Sequence, residues 1–373
     1  MCNKYQLDEL LFYEQPTPYI VKSTEYNDAY QTPVLTAGKS FILGYTNEEN
    51  GIFDKLPVII FDDFTTASQY VNFKFKVKSS AMKILTPNTE LVFPKYIYYR
   101  MQIIEIDHST HKRYWIQQYS KIKVKIPSIE EQKKIVARIE ELFSQLDSGV
   151  ETLKKIKQQL AVYRQAVLKD IFDNFDKKDT IKNTTSLVTS GSRGWAKYYS
   201  ENGAMFIRIG NLTRTGIEID FSDVQYVSLP ENAEGLRSHL KPNDILISIT
   251  ADLGSIGLVP QTIEEAYINQ HIALVRFNNT KQAKFMAWYL RSDYGQKELL
   301  KNKRGAGKLG LGLDDIRETK VPIVTNETAL KTIFEIETRL SVCDNIEKTI
   351  NITLQQAETL RQSILKKAFE GRL

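Results

Sequence analysis

His108 and His111 form an H-x-x-H pair, residue types and a spacing that could begin a metal site. A closed metal site needs four ligands. The other histidines, His239 and His271, and the two cysteines, Cys2 and Cys343, add no cluster, so no metal is expected. RGAGKLG around Lys308 contains Gly-Lys, but it lacks the spacing and the hydroxyl of a nucleotide phosphate loop. It reads as a loop able to touch a phosphate. Asp62-Asp63 closes an apolar run, and two carboxylates there could bind a nuclease metal. No Glu-x-Lys follows, so a strand-end turn is favoured. No catalytic residue is assigned.

What the chain does offer is chemistry for contacting nucleic acid. Lys and Arg neutralise phosphates, and polar side chains read base edges. HSTHKRYW brings His111, Lys112, Arg113 and Tyr114 together, either as a DNA surface or as a solvated loop. VNFKFKVK alternates, with Lys74, Lys76 and Lys78 on one face and Phe73, Phe75 and Val77 on the other. This predicts a half-buried strand whose lysines meet phosphate or simply solvent. SGSRGW places Ser192, Arg193 and Trp195 among small residues that let a ligand approach the backbone. KNKRGAGK supplies Lys303, Arg304 and Lys308. Arg208 and Asn211 face DNA or close a strand end. His271, beside Asn269 and Gln270, belongs either to base readout or to a satisfied buried network.

Something must position these groups. The chain has 373 residues, 42% hydrophobic and 25% charged, which suits two domains of ordinary size. Net charge is +5, so any basic surface must be local. MCNKYQLDELLFYEQPT carries acids and no long apolar core, unlike a signal peptide, and no apolar run reaches the ~18 residues of a spanning helix. The two cysteines give no disulfide framework, and a cytoplasmic protein is expected.

Residues 1–126 read as strand-rich, with TPVLTAGKSFILGYT, LPVIIFDD and KIKVKIP as strands and PKYIYYRMQII as a short helix. A helix follows over 127–175. Ser128 and Glu131 form a capping box, and an apolar seam runs through Ile135, Ile139, Leu142, Leu146, Leu153, Ile156, Leu160, Tyr163 and Val167. Gly149 marks an expected local break. Residues 176–321 return to the mixed pattern with GAMFIRIGNL, GIEIDF, NDILISITADLG, EAYINQHIALVRF and FMAWYL. Residues 322–373 are helical again, through Ile336, Leu340, Cys343, Ile350, Leu354, Ala357, Leu360 and Ile364.

The second helix repeats the first. Gln158, Gln159, Arg164, Gln165, Leu168, Lys169 and Phe172 recur 197 positions later as Gln355, Gln356, Arg361, Gln362, Leu365, Lys366 and Phe369. Asp147 recurs as Asp344. A repeat of this kind predicts two equivalent units. Each seam needs a partner, and the other copy is the nearest. A two-fold between like units would make the helices antiparallel. The expected fold is α+β: two mixed α/β domains separated by an antiparallel two-helix coiled coil. Such a spacer suits a bipartite duplex target. Arg164, Gln165, Lys169, Arg361, Gln362 and Lys366 are expected off the seam, as two equivalent docking sites.

IPSIEEQKKIVARIEELFSQLD with YRQAVLKDIF, and LRQSILKKAFEGRL, resemble the helical regions of type I restriction–modification specificity subunits. GSRGWAKYYSENGAMFIRIGNL and TPVLTAGKSFILGYT resemble the openings of their target recognition domains. The likeness spans nearly the whole chain. It departs at IVTNETALKTI, where Glu327 stands in place of Gln132. The resemblance implies a non-catalytic subunit that reads a split DNA sequence and binds two modification subunits, with Gln132 added to the docking residues. S-adenosylmethionine, ATP and Mg would come through partner subunits, and restriction (motor–nuclease) subunits would complete the complex. Two rival readings remain: a stand-alone DNA-binding regulator, and a scaffold that binds no DNA.

Overall fold

The computed structural model describes residues 3–38, 40–106, 113–230, 236–301 and 310–373. The chain divides into two compact units. One comprises residues 1–153 and 352–373, the other residues 154–351.

The first unit opens with β1 (Asn3–Gln6), α1 (Leu7–Leu10) and β2 (Leu11–Glu14). It continues through β3 (Thr32–Leu35), β4 (Ile42–Thr46), β5 (Val58–Asp62), β6 (Ser68–Val71), β7 (Lys76–Val77) and β8 (Met82–Pro87). Next come α2 (Pro94–Met101), α3 (Tyr114–Gln117) and β9 (Lys123–Ile126). A four-stranded sheet has the order β2-β8-β5-β6, a three-stranded sheet β4-β3-β7, and β1 pairs with β9. β5 is buried on both faces, which explains its unbroken Val58-Ile59-Ile60-Phe61 run. Two cores result. Ile59, Phe61 and Leu85 pack with Tyr96, Trp115 and Tyr119, while Val58, Ile60 and Ile84 pack with Phe53 and Phe75.

Helix α4 (Ile129–Phe172) then begins. The Ser128 hydroxyl accepts from the Glu131 amide at 3.3 Å, as the capping box predicts. The helix continues through Gly149 without interruption, so the expected break is absent.

The second unit repeats the plan with β10 (Lys178–Thr180), α5 (Ile181–Thr184), β11 (Thr185–Ser190), β12 (Tyr199–Ser200), β13 (Ala204–Ile207) and β14 (Gln225–Val227). It goes on with β15 (Ile245–Ser248), β16 (Ile256–Leu258), β17 (Ala266–Ile268), β18 (Ile272–Phe277), α6 (Ala283–Arg291), α7 (Asp293–Leu300), α8 (Leu313–Arg317), β19 (Lys320–Pro322) and α9 (Asn326–Phe369), whose residues from 352 onward belong to the first unit. Its sheets run β11-β18-β15-β16 and β12-β14-β13-β17, and β10 pairs with β19. The parallel pair β13·β17 corresponds to the parallel pair β3·β7. GIEIDF forms only an isolated bridge, Leu212 with Ile219, instead of a strand. Val324, which follows β19, packs against the second unit's main core.

Both long helices carry a buried seam in the same register. On α9 it runs through Ala329, Ile333, Ile336, Leu340, Cys343, Ile350, Ala357, Ile364 and Ala368. On α4 it runs through Gln132, Val136, Ile139, Phe143, Leu160, Arg164 and Val167. This corrects the sequence reading. Ile156, Tyr163 and Leu360 are exposed, at 36%, 49% and 49%, while Phe143 and Arg164 are inside. Charge at Arg164 disguises the true seam, because an apolar template skips a cation even when carboxylates await it.

Candidate nucleic-acid interface

Two of the repeated side chains, Arg164 and Arg361, reach across to the opposite helix within their own units. In the second unit Arg164 donates to Asp344 at 2.6 Å and to Glu347 at 3.2 Å. Lys157 donates to Asn351 at 2.9 Å, and Arg339 to Asp170 at 2.9 Å. Residue numbers rise along one helix as they fall along the other, so the segments pair antiparallel. In the first unit Arg361 pairs with Asp147 and lies 4.3 Å from the centre of the Phe143 ring. Arg164–Asp344 and Arg361–Asp147 are thus the same contact made with the two copies exchanged. Lys95–Glu140 and Lys284–Glu337 form a second such set. Tyr96 on Phe369 (5.2 Å) and Phe285 on Phe172 (5.5 Å) form a third, joining each globule to a helix end.

Several expected docking residues are therefore structural. Arg164 is 9% exposed and spent on its two carboxylates. Burial works against its charge, but the Asp344 carboxylate raises its pKa above the ordinary arginine value. Gln132 is fully buried. Its oxygen accepts from the Phe93 amide at 2.7 Å, and its nitrogen donates to the carbonyls of Pro127 (2.9 Å) and Leu91 (3.1 Å). It fastens the start of α4 to the first domain. Gln165 is half-buried. With its amide oxygen toward Arg291, it accepts from Nη2 at 3.2 Å and Nη1 at 3.3 Å. Lys169, Gln362 and Lys366 are exposed, and Lys366 pairs with Glu105 at 3.1 Å.

A polar crevice lies where each globule meets the helices. In the first unit it measures about 560 Å³ and includes Tyr99, Glu140, Phe143, Asp147, Arg361 and Gln362. In the second it measures about 330 Å³ and includes Trp288, Glu337, Leu340, Asp344 and Arg164. The helix positions are those related by the repeat.

Corresponding strand ends carry the candidate DNA residues. In the second unit the segment after β11, the end of β15 and the β17–β18 turn converge. They form a cleft of about 660 Å³ whose lining includes Ser192, Arg193, Trp195, Lys197, Arg237, Thr250 and Gln270. Ser192 bridges to Asn269, and a Cβ on Gly191 would lie 1.9 Å from the Ile268 carbonyl oxygen, so only glycine fits there. Arg193, Lys197 and Arg237 are exposed cations around it. Thr250 Oγ1 lies 2.8 Å from His271 Nδ1, and Gln270 Nε2 lies 3.0 Å from His271 Nε2.

Two of the expected contacts in this unit are corrected. Trp195 is 4% exposed and stacks on Phe206 (5.5 Å) against Tyr267, so it supports the cleft from the core. Asn211 is also buried. It accepts from the Arg208 amide at 2.8 Å and donates to the carbonyls of Asp220 and Asp223 at 2.9 Å each, which makes it the tie of a loop. Arg208 is half-buried and reaches Asp223 at 3.4 Å.

In the first unit Lys78 begins the β7–β8 turn, where its amide donates to the Leu35 carbonyl at 3.0 Å. Asn269 donates equivalently to the Ile207 carbonyl at 3.2 Å. Lys74 and Lys78 are exposed. Lys76 is not. It is 2% exposed, donating to the carbonyls of Asn50 (2.6 Å) and Gly51 (3.1 Å), with Glu48 at 3.2 Å. The alternation misled because β7 spans only Lys76–Val77. Tyr114 is likewise buried, its amide donating to the Asp63 carbonyl at 2.9 Å. Asp62 closes a turn by accepting from the Phe64 (2.8 Å) and Thr65 (3.0 Å) amides, as the strand-end reading holds. Arg113 is exposed. His111, Lys112, Lys303, Arg304 and Lys308 lie outside the described residues. Among the described residues no group of three or more metal-ligating side chains is placed to hold a metal, and no helix is long and apolar enough to cross a membrane. Lys197 and Arg237 escaped the sequence reading, since nothing in their neighbourhood marks them until the loops fold together.

The model of the type I restriction modification DNA specificity domain matches residues 168–356, just over half of the chain. The chain belongs to that family. The specificity subunit of the type I restriction enzyme EcoR124I/EcoR124II of Escherichia coli is 46% identical over 174 residues, covering 43% of each chain. The specificity subunit of the type I restriction enzyme EcoBI, also of Escherichia coli, is 27% identical over 281 residues, covering 66% of this chain and 58% of that one. The chain thus spans about half the length of these two curated relatives. A solved chain from a study of complex assembly and conformational transition in the type I R-M system matches at a TM-score of 0.70 and 15% identity. It covers 100% of this specificity-family chain and 98% of its own length, a likeness of fold.

Proposed function

We propose that this protein is the DNA specificity subunit of a type I restriction–modification complex. Each globular domain reads one half of a bipartite, asymmetric target. Family membership supports this reading, and one observation carries the division of labour. The two units share sheet order, yet equivalent turns present different chemistry, Lys78 in one and Asn269-Gln270-His271 in the other.

On this reading the two 44-residue helices form an antiparallel coiled coil with pseudo-two-fold symmetry and set the gap between half-sites. The exchanged Arg–Asp pairs favour that arrangement. Two modification subunits dock at the equivalent crevices, where Gln362, Glu140 and Glu337 offer polar contacts beside the helix pair. Restriction subunits would add to that core. The subunit itself is non-catalytic and cytoplasmic. S-adenosylmethionine, ATP and Mg act on the partner subunits.

Co-expression with the cognate modification subunits, followed by mapping of methylated adenines across a plasmid, tests the proposal. The expected result is one split motif with an adenine modified in each half. A well-assembled complex that leaves the plasmid unmodified would refute it.

A further inference from the structure

Gln270 occupies the turn between β17 and β18 and lines the cleft of the second unit. Its amide nitrogen can only donate. His271 Nε2, 3.0 Å away, must therefore accept, which places the imidazole proton on Nδ1. Nδ1–H then donates to Thr250 Oγ1 at 2.8 Å. The chain of bonds fixes the plane of the Gln270 amide. Among the described residues it leaves the carbonyl oxygen and the second N–H of that amide unspent.

The surroundings ask for a ligand. Ser192 Oγ lines the same cleft, is buried, and has no hydrogen-bond partner among the described residues. A buried hydroxyl without a partner is costly unless a bound group satisfies it. Arg193, Lys197 and Arg237 ring the opening with positive charge, as contacts to flanking phosphates require. A carboxamide with one oxygen and one N–H free in a fixed plane matches a single base edge in the major groove. That edge is adenine, whose N6 donates and whose N7 accepts.

We propose that Gln270, held by His271 and Thr250, reads an adenine in the half-site bound by the second domain. The inference rests on the DNA-reading function proposed above. The test is methylation mapping with the full chain and its modification subunits, on plasmids that carry every single-base variant of the motif. Wild-type complex yields a split motif. A motif that is absent would remove the function proposal, and this inference with it.

Given that motif, Gln270→Ala should relax one A·T position in one half-site, reducing discrimination there roughly ten- to a hundredfold while the other half-site stays intact. Gln270→Glu, nearly isosteric, should reject adenine at that position and favour cytosine, whose N4 donates to a carboxylate. Three results overturn the inference and leave the function proposal standing. These are an unchanged motif, relaxation at a position that is not A·T, and loss of all methylation in both variants although the complex still assembles.

Discussion

Lys76 and Lys78 sit two residues apart and do different work. Lys76 satisfies two carbonyls and a carboxylate inside the first domain. Lys76→Ala should cost about 2–3 kcal/mol by chemical denaturation, since it strands buried acceptors. Lys78→Ala should leave stability within about 0.5 kcal/mol. It should, however, lower the salt dependence of duplex binding by the complex, by about one phosphate contact. Burial alone would raise the pKa of Glu48, but the Ser23 and Lys22 amides and the Lys76 ammonium outweigh it and hold the carboxyl below the usual range. A lowered folded-state pKa stabilises above the unfolded value and is lost as pH falls through the folded one. The wild-type protein should therefore lose more stability on acidification through the carboxylate range than Lys76→Met does. An equal loss in both proteins would contradict the assignment. Residue types alone could not separate these lysines, nor reveal that Tyr114, Trp195 and Asn211 are internal. Exposure depends on neighbours that arrive from distant parts of the chain.

At the scale of elements, the long helices, the strands β3, β4, β5, β9, β13, β15 and β18, and the helices α2 and α6 were legible in the sequence, because their periodicity is strong. The seam was half legible. The line through Ile139, Leu160 and Val167 shows in the apolar pattern, whereas its companion line carries Arg164 and does not. The repetition of Arg164 and Arg361 was visible, yet its meaning was not. A residue repeats just as readily to grip the other copy as to meet a partner. Arg164 is the more buried of the two, with 11% of its side chain exposed against 30% for Arg361. Arg164→Ala should cost about 1–2 kcal/mol and Arg361→Ala under about 1 kcal/mol. A double-mutant cycle of Arg164 with Asp344 checks the pair, and additive losses would deny it. Phe172, buried against Phe285 and Tyr289, should cost about 3–5 kcal/mol as alanine.

For the whole molecule, the repeat is the feature most legible in the sequence and the one on which the proposed function depends most. Two copies of one topology, differing at their strand ends, suit a target with two unlike halves. If the helices set the gap, one heptad added at the middle of each, seven residues at 1.5 Å, should lengthen it by about 10 Å, or about three base pairs. The most direct test of the account is exchange of residues 1–126 for the matching segment of a relative with a known target, followed by mapping of methylated adenines. The account predicts that one half-site becomes the relative's while the other half-site and the gap are retained. A change in both half-sites, or in neither, would contradict it.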